Sequence, residues 1–341
     1  FHVKHWRPGF LVLCGDPLHR PHLIHFANTL SKSHSPTFFA TIRTDTDIYR
    51  TNVNKFHQQN YGNYLPRHLL NTDKKGFFES VFAESFRHGV TMLMQCVGLG
   101  ALRPNTLCLG YRHNWKLNLT LSHQYVEVIR DALEMGYAIM ILRNFSYIDW
   151  TMNECDDNHL YIDVWWLIDD GGLTVLLPYI MKLHSFWSKC KLRLNIIANS
   201  NVVSEEYLNV YHLMNQFRLP FEKPHLIEVD SKNQNPLKST MNRFHQLTDH
   251  QIDFDKDVMR PKVIKKWLKV SELIHKHSSK NSQVIISTLP LPTRFYKYDD
   301  SKTKYMNAKV YFAILEMLTE KLPPTILIRG NGQSALTFYS E

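Results

Sequence analysis

The run Tyr161–Ala198, YIDVWWLIDDGGLTVLLPYIMKLHSFWSKCKLRLNIIA, reads as strand, tight Asp-Asp-Gly-Gly turn, apolar helix and second strand. A strand followed by a crossover helix and another strand returns the chain parallel to itself, so this segment restricts the chain to α/β architectures. Its pieces are expected at Ile162–Ile168 (a buried strand), Asp169–Gly172 (a helix-starting turn) and Leu173–Cys190 (the crossover helix). The same alternation recurs along the chain. Short β-rich runs occur at Phe10–Cys14, Thr37–Ile42, Thr106–Leu109, Tyr137–Leu142, Leu192–Ile197, His225–Val229, Gln283–Thr288, Thr325–Ile328 and Ala335–Tyr339. Several are apolar at consecutive positions, as parallel strands covered on both faces must be. Between them lie helical stripes, such as Phe86, Val90, Leu93 and Val97, or Tyr311, Ile314, Leu315 and Leu318. A third, Val210, Leu213, Met214 and Phe217, has Ser204 as its expected N-cap.

The expected fold class is α/β, with two similar lobes of mainly parallel sheet flanked by helices. With 341 residues the chain is long enough for two domains of ordinary size. The polar connection Ser146–His159 divides it into a first lobe over residues 1–150 and a second over 151–341. Asp45–Gly76 and Asp230–Pro261 are its least patterned parts.

Strand ends rich in glycine are where such sheets hold ligands, because backbone amides and helix N-termini meet there. Four qualify: Gly15–Arg20, Gly110-Tyr111-Arg112, Asp169–Gly172 and Gly330-Asn331-Gly332. None carries the dinucleotide-binding or P-loop glycine pattern, which argues against a dehydrogenase or a P-loop nucleotidase. A looser mononucleotide site in the first lobe, with Gly15, Asp16, His19, Arg20 and Gly110 beside phosphate, stands next to the plainer reading that these glycines only make turns. Asp169 and Asp170 have the look of a metal or acid–base pair, but aspartate ahead of a Gly-Gly helix start also caps free amides, which is the favoured reading. His19, His22 and His25 lack a zinc-ligand pattern. No nucleophile elbow or protease-like cysteine is present, so the chain is expected not to be an enzyme and to require no cofactor or metal.

The five cysteines, Cys14, Cys96, Cys108, Cys155 and Cys190, show no paired spacing and are expected buried and reduced, as in the cytosol. No run of residues suits a bilayer-spanning helix, and the start, with His2, Lys4, His5 and Arg7, has no signal-peptide pattern. The net charge of +9 favours an acidic partner. Its most basic element is Arg260–Lys280, RPKVIKKWLKVSELIHKHSSK: either an amphipathic helix with a solvated lysine face, or one that docks on an acidic membrane surface or protein segment. Nucleic acid is not expected, since neither an RNP aromatic pair nor a GXXG loop occurs.

Five blocks of sequence carry a family likeness. They are Trp6-Arg7-Pro8, Phe86–Trp115 (FRHGVTMLMQCVGLGALRPNTLCLGYRHNW), Ile162–Leu194, Gln216–Leu219 with Asn233–Pro236 (QFRL and NQNP), and Thr325–Tyr339 (TILIRGNGQSALTFY). In this order they resemble the cytosolic C-terminal domain of the electroneutral cation–chloride cotransporters. DDGGLT, WSKCK, NQNP and the final block are most similar to the sodium–potassium–chloride branch, while Trp165-Trp166 also resembles the potassium–chloride branch. The resemblance implies a fold like that of universal stress proteins, a homodimer, and a regulatory role for transport on the cytoplasmic side of the plasma membrane. It also implies as partners the transmembrane domain of the same transporter and regulatory kinases. Some members of the family hold an adenine nucleotide such as ATP at a loop matching Gly15–Arg20, which makes a nucleotide the expected regulatory ligand. The alternatives are a potassium–chloride cotransporter domain and a free-standing adenine-nucleotide-binding sensor.

Overall fold

The computed structural model describes residues 8–15, 17, 19–31, 36–44, 76–150, 161–168, 170–199, 203–229, 235–250, 260–278, 281–295 and 301–332. Asp16, Asp169, Cys155 and the expected strand Ala335–Tyr339 lie outside them.

Ten strands among the described residues form one sheet. They are β1 (Phe10–Leu13), β2 (Thr37–Arg43), β3 (Phe77–Phe82), β4 (Thr106–Gly110), β5 (Ala138–Arg143), β6 (Tyr161–Trp165), β7 (Lys191–Asn199), β8 (His225–Val229), β9 (Ser282–Thr288) and β10 (Thr325–Arg329). Their order is β3-β2-β1-β4-β5-β10-β9-β6-β7-β8. Read inward from each edge, β1–β5 and β6–β10 follow the same winding, 3-2-1-4-5 in each half. Every pairing is parallel except the central one, where β5 and β10 run antiparallel with Ile141 opposite Leu327. The expected α/β class with mainly parallel sheet is met.

The helices are α1 (Pro21–Ser31), α2 (Phe86–Cys96), α3 (Leu119–Glu134), α4 (Leu173–Lys182), α5 (Ser185–Ser188), α6 (Val203–Gln216), α7 (Lys238–Leu247), α8 (Pro261–Ser278) and α9 (Ser301–Thr319). One core lies between the sheet and α1, α4, α5 and α6, and takes Phe10, Val12, Ile162, Val164 and Ile328 from the strands. The other lies under α2, α3, α7, α8 and α9, and takes the alternate side chains Leu11, Leu13, Trp165 and Leu327. Burial on both faces is why the strands read as unbroken apolar runs. The corresponding helices α3 and α9 pack against each other over the β5–β10 junction.

Three local expectations need correction. The crossover from β6 is two helices instead of one over Leu173–Cys190. It breaks at His184, whose extended backbone (φ −89°, ψ 140°) stops α4 and whose ring Nδ1 accepts the Phe186 N–H at 3.2 Å to start α5. β6 ends at Trp165 and not at Ile168, because the Leu167 N–H leaves the sheet to reach the Thr288 hydroxyl at 3.2 Å. α6 begins at Val203, which places Ser204 inside its first turn. β3 is an addition: the run FFESVF is half exposed at the sheet edge and is held by stacking of Phe77 on Phe38 and of Phe78 on Phe39.

Candidate functional site at the crevice between β1 and β4

In a parallel sheet wound 3-2-1-4-5, the connections from the first and fourth strands leave toward opposite faces. A crevice therefore opens beyond their C-terminal ends. In the first half this crevice lies between the end of β1, with Cys14, Gly15 and Arg20, and Gly110–Trp115. Gly15 follows β1 with φ +62°, a left-handed conformation that favours glycine, and a Cβ there would meet nothing within 4 Å. Gly110 ends β4. A Cβ there would stand 3.4 Å from Leu23 Cδ1 and 3.9 Å from Arg20 Nη1, which puts the Arg20 guanidinium across the mouth of the crevice. The Tyr125 hydroxyl donates to the Gly110 carbonyl at 3.1 Å and fixes this end of β4.

Among the described residues, the side chains gathered around these glycines are mostly basic. Burial, then Arg20 and His113, push the His22 imidazole below the ordinary histidine range. Burial and the charges of Arg143 and Arg20 do the same to His113 against an opposing pull from Glu316. Arg112 is also pushed down, by burial and then by Arg20, and its Nε is buried without a hydrogen-bond partner. Neither Arg20 nor Arg112 forms an ion pair with a carboxylate among the described residues. Mutually repelling cations, one carrying an orphaned buried donor, favour an anion in the space between them.

The floor of the crevice is tied to the other half of the chain. Glu316 of α9 accepts from Arg143 Nη2 at 2.6 Å, from the Tyr111 hydroxyl at 2.5 Å and from Trp115 Nε1 at 3.4 Å. Arg143 also donates to the Thr319 hydroxyl at 2.7 Å and lies 4.3 Å over the Tyr111 ring. Trp115 stacks on Phe312 of the same helix at 5.7 Å.

The second half offers an internal comparison. Tyr111 N–H bonds Leu142 O at 2.8 Å, and Leu289 N–H bonds Ile328 O at 2.7 Å, so Tyr111 matches Leu289 and Gly110 matches Thr288. Where Gly110 leaves the first crevice open, the Thr288 hydroxyl takes the Leu167 N–H at the mouth of the second. The acidic turn is closed too. Asp170 accepts from Thr174 N at 3.2 Å, Thr174 Oγ1 at 2.7 Å and Gly330 N at 3.3 Å, so its carboxylate caps α4 and clamps the end of β10.

Of the residues picked out in sequence, Gly15, Arg20 and Gly110 meet at one crevice. His19 sits exposed between Gly15 and Arg20, and Asp16 lies outside the described residues. Arg112 was named only as part of the strand end Gly110-Tyr111-Arg112, and His22 only among the histidines weighed for zinc. His113 and the Arg143–Glu316 pair were not foreseen, and that pair joins positions 173 residues apart. Of the cysteines, Cys14, Cys108 and Cys190 are buried thiols, whereas Cys96 is exposed. No helix among the described residues is long and apolar enough to cross a membrane.

The family model of solute carrier family 12 matches residues 20–160 and 152–340. The chain belongs to solute carrier family 12. Mouse solute carrier family 12 member 3 is 27% identical over 384 residues, an alignment covering all of this chain and 37% of the mouse protein. Human solute carrier family 12 member 1 is 26% identical over 443 residues, covering 99% of this chain and 39% of the human protein. This solute carrier family 12 chain thus spans well under half the length of these relatives. The crystal structure of the cytoplasmic domain of a prokaryotic cation chloride cotransporter superposes with a TM-score of 0.54 at 14% identity, covering 97% of this chain and 99% of that one. The chain therefore has the fold of a cation chloride cotransporter cytoplasmic domain.

Proposed function

We propose that this chain is the cytosolic regulatory and dimerisation domain of a membrane cation–chloride cotransporter, most like the sodium–potassium–chloride branch, and that it performs no catalysis itself. The observation that carries this reading is the family match along nearly the whole chain, joined to the fold shared with a cotransporter cytoplasmic domain. The branch rests on the blocks Asp169–Thr174, Trp187–Lys191 and Thr325–Tyr339. Its partners in this reading are a second copy, the transmembrane part of the same transporter and regulatory kinases, at the cytoplasmic face of the plasma membrane. Sedimentation equilibrium should give a dimer at micromolar concentration. A stable monomer counts against the dimerisation part.

The crevice between β1 and β4 is proposed to take the phosphates of an adenine nucleotide as a regulatory ligand, supported by Arg20 and Arg112, which form no ion pair among the described residues, beside Gly15 and Gly110. Calorimetry with ATP, ADP and AMP tests it. A charged hydrogen bond contributes about 1.5–3 kcal/mol, so Arg20→Ala and Arg112→Ala should each weaken ATP binding by about tenfold or more. Absence of millimolar-range binding ends this part of the reading while leaving the transporter assignment intact. Measured hydrolysis would point to the free-standing sensor or enzyme instead.

The histidines give the site a pH dependence. His22 and His113 titrate below the ordinary value because burial and neighbouring cations disfavour the proton. A bound phosphate attracts the protonated imidazoles, offsets that penalty and raises both values, so binding takes up protons and should tighten as pH falls from 8 to 6. His22→Gln with His113→Gln should flatten this dependence.

A further inference from the structure

The most basic helix among the described residues is α8. Its buried side chains, Ile264, Trp267, Leu268, Val270, Ser271 and Ile274, face the core. At about 100° per residue, Lys262, Lys265, Lys266, Lys269 and Lys276 fall within one sector about 100° wide on the opposite side, in a row about 21 Å long. Glu272, the one acidic residue of the helix, lies at the margin of that sector and pairs with Lys269 at 3.1 Å. Lys262, Lys265, Lys266 and Lys276 form no ion pair among the described residues, and Lys262, Lys266 and Lys276 are exposed. Like charges in a row repel, and keeping them on one unpartnered face costs stability unless an acidic surface meets them.

We propose that this lysine face of α8 docks on the anionic headgroups of a lipid bilayer. Two observations choose lipid over an acidic protein. All five cations of the row are lysines, point charges on flexible stems that suit mobile headgroups, whereas fixed carboxylates or phosphoresidues are met by the planar fork of arginine. The apolar side of α8 is already spent on the core, so contact is electrostatic and lies along the bilayer surface without insertion. This goes beyond the role proposed above and stands without it, because the face belongs to the chain whatever its parent protein.

The test is co-sedimentation of the whole chain with phosphatidylcholine vesicles, with and without about 30% phosphatidylserine, across a salt series. Binding should require phosphatidylserine and fall steeply between 50 and 500 mM salt, roughly as screening shortens the range of the interaction. A lysine near such a surface is worth about a fivefold change in partition, so K262Q/K266Q/K276Q should lose about a hundredfold. K182Q/K191Q/K223Q, with the same charge change elsewhere, should lose far less, and circular dichroism of both variants confirms that they fold. No binding at 50 mM salt, or equal losses in the two triples, overturns the proposal. In the first case, retention on an immobilised acidic peptide would reassign the face to a protein partner.

Discussion

Replacing Glu316 by alanine should lower the unfolding free energy by about 3–5 kcal/mol in a urea titration, the range found when one partner of a buried ion pair is removed. The Arg143 side chain is 9% exposed and the Glu316 side chain 15%, so little water can replace the lost carboxylate. Arg143 would keep the Thr319 hydroxyl alone, with its Nε already unpartnered. Tyr111 and Trp115 would lose their shared acceptor at the same time. Burial pushes the Glu316 carboxyl up, but hydrogen bonds from Arg143 and Tyr111 and the charge of Arg143 outweigh it and hold the group below the ordinary glutamate value. The sign follows from this depression. The pair's contribution is fully present above the unfolded glutamate pKa and is lost as pH falls through the lower folded value. Acid titration of the wild type should therefore show a loss of stability below about pH 4.5 that Glu316→Gln lacks. Because the pair holds Tyr111 and Trp115 in place, the alanine variant should also weaken the nucleotide binding proposed for the crevice, at temperatures where it remains folded.

Gly330→Ala should cost about 3 kcal/mol, at the upper end of overpacking penalties, because no side chain can move aside to relieve the clash. An added Cβ would stand 2.1 Å from the Asp170 carbonyl oxygen, so the backbone of the acidic turn or of the β10 end has to shift. A shift there also strains the bonds from Asp170 to Gly330 N and to Thr174, in a site where burial already pushes the Asp170 carboxyl up. Gly136→Ala is the comparison. Its φ of +80° disfavours any side chain, but nothing lies within 4 Å, so the cost should be about 1 kcal/mol. Equal losses in the two variants would show that close backbone approach is not what Gly330 serves.

The strands were legible wherever both faces are covered. Phe10–Leu13, Ala138–Arg143 and Thr325–Arg329 announce themselves as unbroken apolar runs because helices lie above and below them. β3 was not, because FFESVF is half exposed at the sheet edge and depends on Phe38 and Phe39 of its neighbour. At the crevice, Gly15, Arg20 and Gly110 could be chosen because glycine at a strand end is a local signal. Arg112 and His113 could not be ranked above the other basic residues of the chain until the sheet order placed them opposite Arg20.

By itself the sequence determined the local units: every strand but β3, most helices, their α/β alternation, and the blocks that carry the family likeness. Side-chain periodicity and turn chemistry act over a few residues, so they can be read directly from the chain. Only the tertiary structure decided that both halves join into one sheet through an antiparallel β5–β10 pair. The same holds for the open first crevice, the second one plugged by Thr288, and the reach of Glu316 across to Arg143. Those outcomes depend on which strand edges meet and on contacts between distant residues, and β-pairing of that kind has no short-range signature to betray it.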